Sequence, residues 1–98
     1  MTRPPLEKTV VKKIMKYLNG LPMCRCKKYW SSAHGVEVDL YGSYRGRAFF
    51  IEVKRDATCK PTQHQQAIIE DWRSVGAIAG VAYDVEGVKK LFDISDEV

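Results

Sequence analysis

Apolar residues recur along this chain at two spacings, three to four residues in some segments and two residues in others. From about Pro5 to Asn19 the spacing is helical, with apolar side chains on one side and lysines on the other. Asn19-Gly20 then supplies a stop signal. The pattern predicts an amphipathic first helix whose inward positions are Leu6, Val10, Val11, Ile14 and Leu18, and whose lysines are Lys8, Lys12, Lys13 and Lys16.

A two-residue period marks a pair of strands in the middle of the chain. Apolar and polar positions alternate from Val36 to Tyr41 and again from Phe49 to Lys54. Gly42 to Gly46, between them, are turn formers, so the pattern predicts an antiparallel hairpin. A less regular alternation over Cys24 to Trp30 predicts a further strand, which carries Arg25, Lys27 and Lys28.

The second half of the chain predicts a helix, a buried strand and a short last helix. Pro61-Thr62 opens the helix, and Gly76 ends it. Its apolar face comprises Ala67, Ile68, Ile69, Trp72 and Val75. Ala77 to Tyr83 is nearly all apolar, as in a strand buried on both faces, and Asp84 can cap a helix through Val88, Leu91 and Phe92. The predicted fold is therefore α/β, a mixed sheet flanked by helices.

Length and composition predict a single domain over residues 1–98, with 45% hydrophobic and 29% charged residues. No apolar run is long enough to span a bilayer, and the first residues lack the apolar segment of a signal peptide. We therefore expect an intracellular, cytoplasmic protein with no membrane partner. The net charge of +4 and the pI near 9.0 favour a polyanionic partner such as DNA.

The three cysteines are too few for a disulfide framework and are expected to be free thiols. An alternative groups Cys24, Cys26, Cys59 and His64 as a tetrahedral zinc site. The Cys-x-Cys spacing is tighter than is usual for zinc ligands, which favours the first interpretation.

The predicted hairpin brings two carboxylates together. If Arg45-Gly46 is a two-residue turn, Asp39 lies opposite Glu52, and Glu37 lies opposite Lys54. Like charges directly opposed on neighbouring strands are destabilising. A divalent cation such as Mg²⁺ would compensate for them, and so would an ion pair with Lys54 or protonation of one carboxylate.

Phosphodiester hydrolysis can use these groups. A divalent ion polarises the phosphate and lowers the pKa of water. Lys54 could stabilise the negative charge that develops on the phosphate or, in its neutral form, help to deprotonate the attacking water. Asp39 and a Glu-x-Lys sequence are weak evidence when taken alone, because exposed strand faces often carry charges.

The motif residues resemble the VRR-NUC family of PD-(D/E)xK nucleases over nearly the whole chain. They are Gly35 to Gly42, Gly46, Phe50-Ile51-Glu52-Val53-Lys54, Lys60-Pro61-Thr62-Gln63-His64-Gln65 and Gly76. The resemblance implies a restriction-endonuclease-like αβββαβ core. It also implies that Mg²⁺ or Mn²⁺ is bound by Asp39, Glu52 and the main-chain carbonyl of Val53, and that Lys54 acts on the scissile phosphate.

By the same resemblance, Gln65 helps to hold the site and Glu7 faces the same cleft, which completes the predicted catalytic set. Gln63 and Gln66 compete for the glutamine role, but the Thr-x-x-Gln interval and the distance to Gly76 favour Gln65. Glu7 lies along the apolar stripe of the first helix. It could instead be a first-turn carboxylate that the helix dipole favours.

Stand-alone members of this family, of phage and bacterial origin, resemble structure-selective endonucleases that act as homodimers on branched DNA such as four-way (Holliday) junctions. We therefore expect a Mg²⁺- or Mn²⁺-dependent deoxyribonuclease that pairs with a second copy, since one cleft cannot cut two strands symmetrically. The lysines of the first helix and the segment with Arg25, Lys27 and Lys28 are candidate phosphate contacts or plain solvated surface. The alternatives are a catalytically inactive DNA-binding or scaffold domain of the same fold and a zinc-structured adaptor.

Overall fold

The chain forms three helices and four strands in a computed structural model that describes residues 7–30, 38–54, 58 and 60–94. The side chains at positions 7, 8, 30 and 38 lie outside this description. The elements are, in order, α1 (Glu7–Asn19), β1 (Cys24–Trp30), β2 (Val38–Tyr44), β3 (Arg47–Val53), α2 (Gln63–Ser74), β4 (Ile78–Ala82) and α3 (Val85–Phe92).

The four strands form one mixed sheet in the order β1-β2-β3-β4. β1, β2 and β3 pair antiparallel to their neighbours, whereas β4 pairs parallel to β3. Parallel neighbours need a crossover, and α2 supplies it. The predicted α/β class and mixed sheet are confirmed.

The β2–β3 hairpin turns through only two residues. Arg45 and Gly46 have φ angles of 51° and 81°, which are the positive values that a type I′ turn requires. The strands continue to Tyr44 and Arg47, which pair with each other. The predicted hairpin and its two-residue turn at Arg45-Gly46 are confirmed, and of the turn formers from Gly42 to Gly46 the first, Gly42, lies inside β2.

The core lies on one face of the sheet, under α1 and α3. Alternate residues of the central strands point into it, among them Leu40 in β2 and Ile51 in β3, both fully buried. The other main contributors are Val10, Val11, Ile14, Leu18, Cys26, Phe49, Val53, Ala82, Val88 and Phe92. We call this side the core face and the opposite side, over which only α2 packs among the described helices, the second face.

Helix ends follow the sequence signals closely. Thr62 caps α2 and Asp84 caps α3, as predicted, and each side chain accepts a hydrogen bond from a backbone N–H of the first turn. The apolar side of α2 is narrower than predicted. Ile69 is buried, whereas Ala67 and Val75 are exposed.

None of the three helices in the described ranges combines the length and the apolar character that crossing a bilayer requires.

Candidate active site

Asp39 and Glu52 are direct partners on neighbouring strands, as predicted. In a hairpin closed by a two-residue turn, hydrogen-bonded and non-hydrogen-bonded pairs alternate away from the turn. Tyr44 and Arg47 flank the turn as a hydrogen-bonded pair, so the pair Asp39–Glu52, five steps further on, is a non-hydrogen-bonded one. Such pairs have Cα atoms only about 4.5 Å apart, with their side chains close together on one face.

Both carboxylates point to the second face, because they alternate with Leu40, Ile51 and Val53 of the core face. Lys54 follows Glu52 by two residues and its N–H continues the pairing with β4, donating to the carbonyl of Ala82 at 3.0 Å. The Lys54 side chain therefore lies on the carboxylate side, with its Cα about 6.6 Å further along the strand.

Glu52, Lys54 and Gln65 are the buried polar residues of the described chain, at 3%, 8% and 7% exposure. Each of the three was predicted from the sequence to be a site residue, for a different reason in each case. Charged residues such as Glu52 and Lys54 are almost never this buried unless they are paired, and each of the three residues makes an interaction within the protein. The charges of Glu52 and Lys54 therefore belong to the buried part of the fold and not to a solvated strand face.

The two carboxylates repel each other when both are ionised. With an effective dielectric near 20, two unit charges about 5 Å apart repel by about 3 kcal/mol. A domain of this size has a total stability of about 5–15 kcal/mol, so a pair that is ionised needs a nearby cation.

The donor set fits a small oxygen-bound divalent ion. Mg²⁺ is typically held by one or two carboxylates together with waters and phosphate oxygens. Asp39 and Glu52 provide that number. The described residues contain no group of three or more His, Cys, Asp or Glu side chains that could hold a metal ion, so an ion at the pair would need waters or phosphate oxygens as further ligands.

The main-chain carbonyl of Val53 has a defined direction. All described peptide bonds are trans, so this carbonyl points opposite to the N–H of Lys54 in the same peptide unit. That N–H points to β4. The carbonyl is therefore directed toward β2, the strand that carries Asp39, whereas the Val53 side chain is buried in the core face.

Gln65 lies at the same end of β3 as Glu52 and Lys54. A helix that connects two parallel strands runs antiparallel to them, so α2 begins at the carboxyl end of β3. The rings of Phe50 and Trp72 are stacked, with centroids 5.8 Å apart and planes within 2° of parallel, and this contact fixes the position of α2 along β3. Lys54 lies about 13 Å beyond Phe50 along the strand. Gln65 lies about 10.5 Å from Trp72 along the helix, toward the same end of β3.

Gln65 also belongs to a capping box that the sequence analysis overlooked. Its Oε1 accepts a hydrogen bond from the Thr62 N–H at 2.9 Å, and its own N–H donates to Thr62 Oγ1 at 3.1 Å. The Thr-x-x-Gln sequence that supported the family resemblance is itself a capping-box signature. The capping interaction fixes the Gln65 side chain at the start of α2, whatever else it contacts.

Two further residues, which were not predicted from the sequence, border the carboxylate pair. Tyr29 of β1 is the direct partner of Asp39, and Tyr41 of β2 pairs with Lys27 on one side and Phe50 on the other. Both tyrosines are largely exposed. The signal was present in the two-residue alternation of β1, which puts Arg25, Lys27 and Tyr29 on one face.

The candidate basic patches separate in the fold. Arg25 and Lys27 share the second face with the carboxylates, whereas Lys28 alternates to the other side. Lys12, Lys13 and Lys16 are exposed on α1, which covers the core face. Glu7 is the first residue of α1, and its predicted position in the cleft lies outside the described side chains, as does the predicted pairing of Glu37 with Lys54.

The described cysteines are both thiols, Cys24 being partly and Cys26 fully buried on the core face. Burial raises the pKa of Cys24, and it raises the pKa of Cys26 to about 12 with a contribution from Cys24. His64 is exposed on α2, across the sheet from Cys26. The fold does not bring these two zinc candidates together, and Cys59 lies outside the described residues.

Asp39 is partly exposed on the second face, whereas Glu52 beside it is buried. A groove of about 490 Å³ runs between α2 and β4, but its lining includes neither carboxylate nor Lys54. The charged residues of its lining, Glu70 and Arg73, form an ion pair at 3.2 Å, so the groove holds no opposed like charges.

Comparisons of the chain with protein-family models, curated protein sequences and solved structures found no match. The resemblance to VRR-NUC nucleases therefore depends on the motif residues alone.

Proposed function

We propose that this chain is a divalent-metal-dependent DNA nuclease domain with the restriction-endonuclease-like core of the PD-(D/E)xK enzymes. The observation that carries the proposal is the placing of Asp39 directly opposite Glu52, with Lys54 on the same face and nearly buried. The resemblance of the surrounding motif to VRR-NUC sequences supports it.

Each residue has a distinct part in this proposal. Asp39, Glu52 and the Val53 carbonyl would hold Mg²⁺ or Mn²⁺, and such an ion supplies Lewis-acid stabilisation of the phosphate and lowers the pKa of an attacking water. The Lys54 ammonium stabilises the negative charge on the phosphate oxygens as it develops. Gln65, held by Thr62, closes the helix side of the site.

The reaction is hydrolysis of a phosphodiester. The water oxygen forms a bond to phosphorus, the bond to the leaving sugar oxygen breaks, and the proton released by the water is balanced by the proton that the leaving oxygen gains. The products are a phosphate monoester and a hydroxyl. The substrate that we propose is branched DNA, cut by two copies of the chain acting on opposite strands.

The test is cleavage of labelled linear, flap and four-way-junction DNA in Mg²⁺, in Mn²⁺ and in EDTA. The variant is Lys54→Met, which keeps the length of the side chain and removes its charge. The matched control is Lys12→Met, because Lys12 is exposed on α1, away from the carboxylate face.

We expect metal-dependent cutting by the wild type and the control, with a preference for branched DNA. Loss of a charge that stabilises the reacting phosphate should slow Lys54→Met about 100-fold or more. Equal cutting by wild type and Lys54→Met, or cutting that persists in EDTA, would refute the proposal. DNA binding without any cutting would favour an inactive DNA-binding domain.

A further inference from the structure

The second face of the sheet carries a surface that the proposed chemistry does not use. It consists of Arg25, Lys27 and Tyr29 on β1 and Tyr41 and Ser43 on β2, and we call it the β1–β2 platform. All five side chains are exposed, with Tyr29 at 60% and Tyr41 at 46%. α2 packs over β3 and β4 and leaves this half of the second face open among the described residues.

The register arranges the platform around the carboxylate pair. One row across the sheet runs Tyr29, Asp39, Glu52, and the next row runs Lys27, Tyr41, Phe50. An exposed tyrosine therefore adjoins Asp39 on the neighbouring strand, and a second lies two residues along β2. Their separation is about 7 Å along the sheet, within reach of successive unstacked bases.

Charge and aromaticity occur together on the platform. Arg25 and Lys27 supply two positive charges beside the tyrosines, and α1 places its own lysines on the opposite side of the molecule. A positively charged strip that carries exposed aromatic rings is the combination with which proteins bind single-stranded nucleic acid. Duplex DNA does not present its bases to such rings, because they are stacked and paired.

We propose that the β1–β2 platform binds an unpaired DNA strand, with bases stacked on Tyr29 and Tyr41 and backbone phosphates on Arg25 and Lys27. This inference rests on the proposed nuclease function for its meaning, since it specifies that the DNA entering the site has unpaired bases. The binding itself needs neither metal nor cleavage. A branch point, where a strand leaves the duplex, supplies such a segment.

The experiment measures binding in EDTA by fluorescence anisotropy, with two labelled strands of about 12 nucleotides, one of thymidines and one abasic. The strands have the same phosphates and differ only in their bases. The test protein is the double variant Tyr29→Ala/Tyr41→Ala, and the matched control is Tyr29→Phe/Tyr41→Phe, which keeps both rings. Circular dichroism confirms that each variant is folded.

We expect the wild type and the Phe variant to bind the thymidine strand about tenfold or more tightly than the abasic strand. The Ala variant should lose this ratio. Arg25→Gln/Lys27→Gln should weaken binding of both strands and leave the ratio unchanged.

Equal binding of the two strands by the wild type, or an unchanged ratio in the Ala variant, would overturn the inference. Absence of measurable binding to either strand would overturn it as well. A wild type that is dimeric in sedimentation and becomes monomeric on Tyr29→Ala/Tyr41→Ala would assign the platform to a second copy of the chain instead. A protein that shows the base-dependent ratio but never cuts DNA would refute the proposed function alone.

Discussion

Glu52 shows how strongly single positions are determined in this fold. It is in a central strand, 3% exposed, and it faces another carboxylate in the closer type of antiparallel pair. An apolar residue would satisfy the same position without any electrostatic cost. The retention of an acid there is understandable if the position serves chemistry, because functional sites are where proteins accept such local costs.

Cys26 is a buried thiol for which we predict a structural role only. Burial raises its pKa from 9.0 to about 12, so the folded state holds the thiol proton more tightly than the unfolded state does. Its contribution to stability is therefore fully present below about pH 9 and is lost as the pH rises toward 12. We expect Cys26→Ala to show a shallower loss of unfolding free energy than the wild type between about pH 9 and 11, measured by urea titration.

Other groups titrate in the same range, so the difference between the two proteins is the relevant quantity. Cys24→Ala serves as the comparison, since it removes a partly buried thiol and only the smaller, coulombic contribution to the raised pKa of Cys26. Identical pH profiles for the wild type and Cys26→Ala would contradict the assignment. So would rapid reaction of Cys26 with a thiol reagent at neutral pH in the folded protein, because the thiolate is the reactive form.

At the scale of elements, two glycines of the hairpin are required for different reasons. A Cβ at Gly42 would lie 1.8 Å from the main-chain oxygen of Arg25, so any side chain there forces β1 away from β2. Gly46 has open space around it but a φ of 81°. Gly42 is required for the close approach of two strands, and Gly46 is required for the turn.

We predict that Gly42→Ala lowers the free energy of unfolding by more than about 4 kcal/mol, since the clash is with backbone. Gly46→Ala should cost only about 1–2 kcal/mol, the strain of a left-handed conformation. Denaturant unfolding of the two variants measures the difference. A Gly42→Ala protein as stable as Gly46→Ala would show that β1 does not pair with β2 in this register.

The sequence predicted most elements because their patterns are local. Thr62 and Asp84 are helix caps that a reader of the sequence can identify, and the Arg45-Gly46 turn fixes the register that opposes Asp39 to Glu52. The role of Gly42 could not be predicted, because it depends on β1, a strand with no local link to that glycine.

The site residues also divide into those that a local pattern places and those whose position depends on contacts between distant elements. Glu52 and Lys54 are two apart on one strand, so their common face follows from the strand period alone. The closeness of Tyr29 to Asp39 depends on the β1–β2 register, and a reader of the sequence has no turn to fix it. The depth at which Gln65 is buried depends on the crossover of α2 over the sheet.

At the scale of the whole molecule, the two basic surfaces lie on different sides. The lysines of α1 cover the core face, and the platform residues share the second face with the carboxylates. Under the proposed function, DNA would approach the carboxylates across the face that also carries the platform. The net charge of +4 would favour association with DNA anywhere on the molecule, whereas the proposed role of the platform is to set where a strand lies near Asp39.

Binding of a divalent cation by the opposed carboxylates, on which the proposed function depends, can be measured by Mn²⁺ titration followed by electron paramagnetic resonance. The signal of free Mn²⁺ falls as the ion binds. Asp39→Asn and Glu52→Gln each remove one charge of the pair, and Glu86→Gln is the control, since Glu86 is exposed and bridged to Lys89. We predict saturable binding by the wild type and Glu86→Gln and its loss in both site variants. Unchanged binding by Asp39→Asn and Glu52→Gln, or no binding by the wild type, would contradict a metal site at this carboxylate pair.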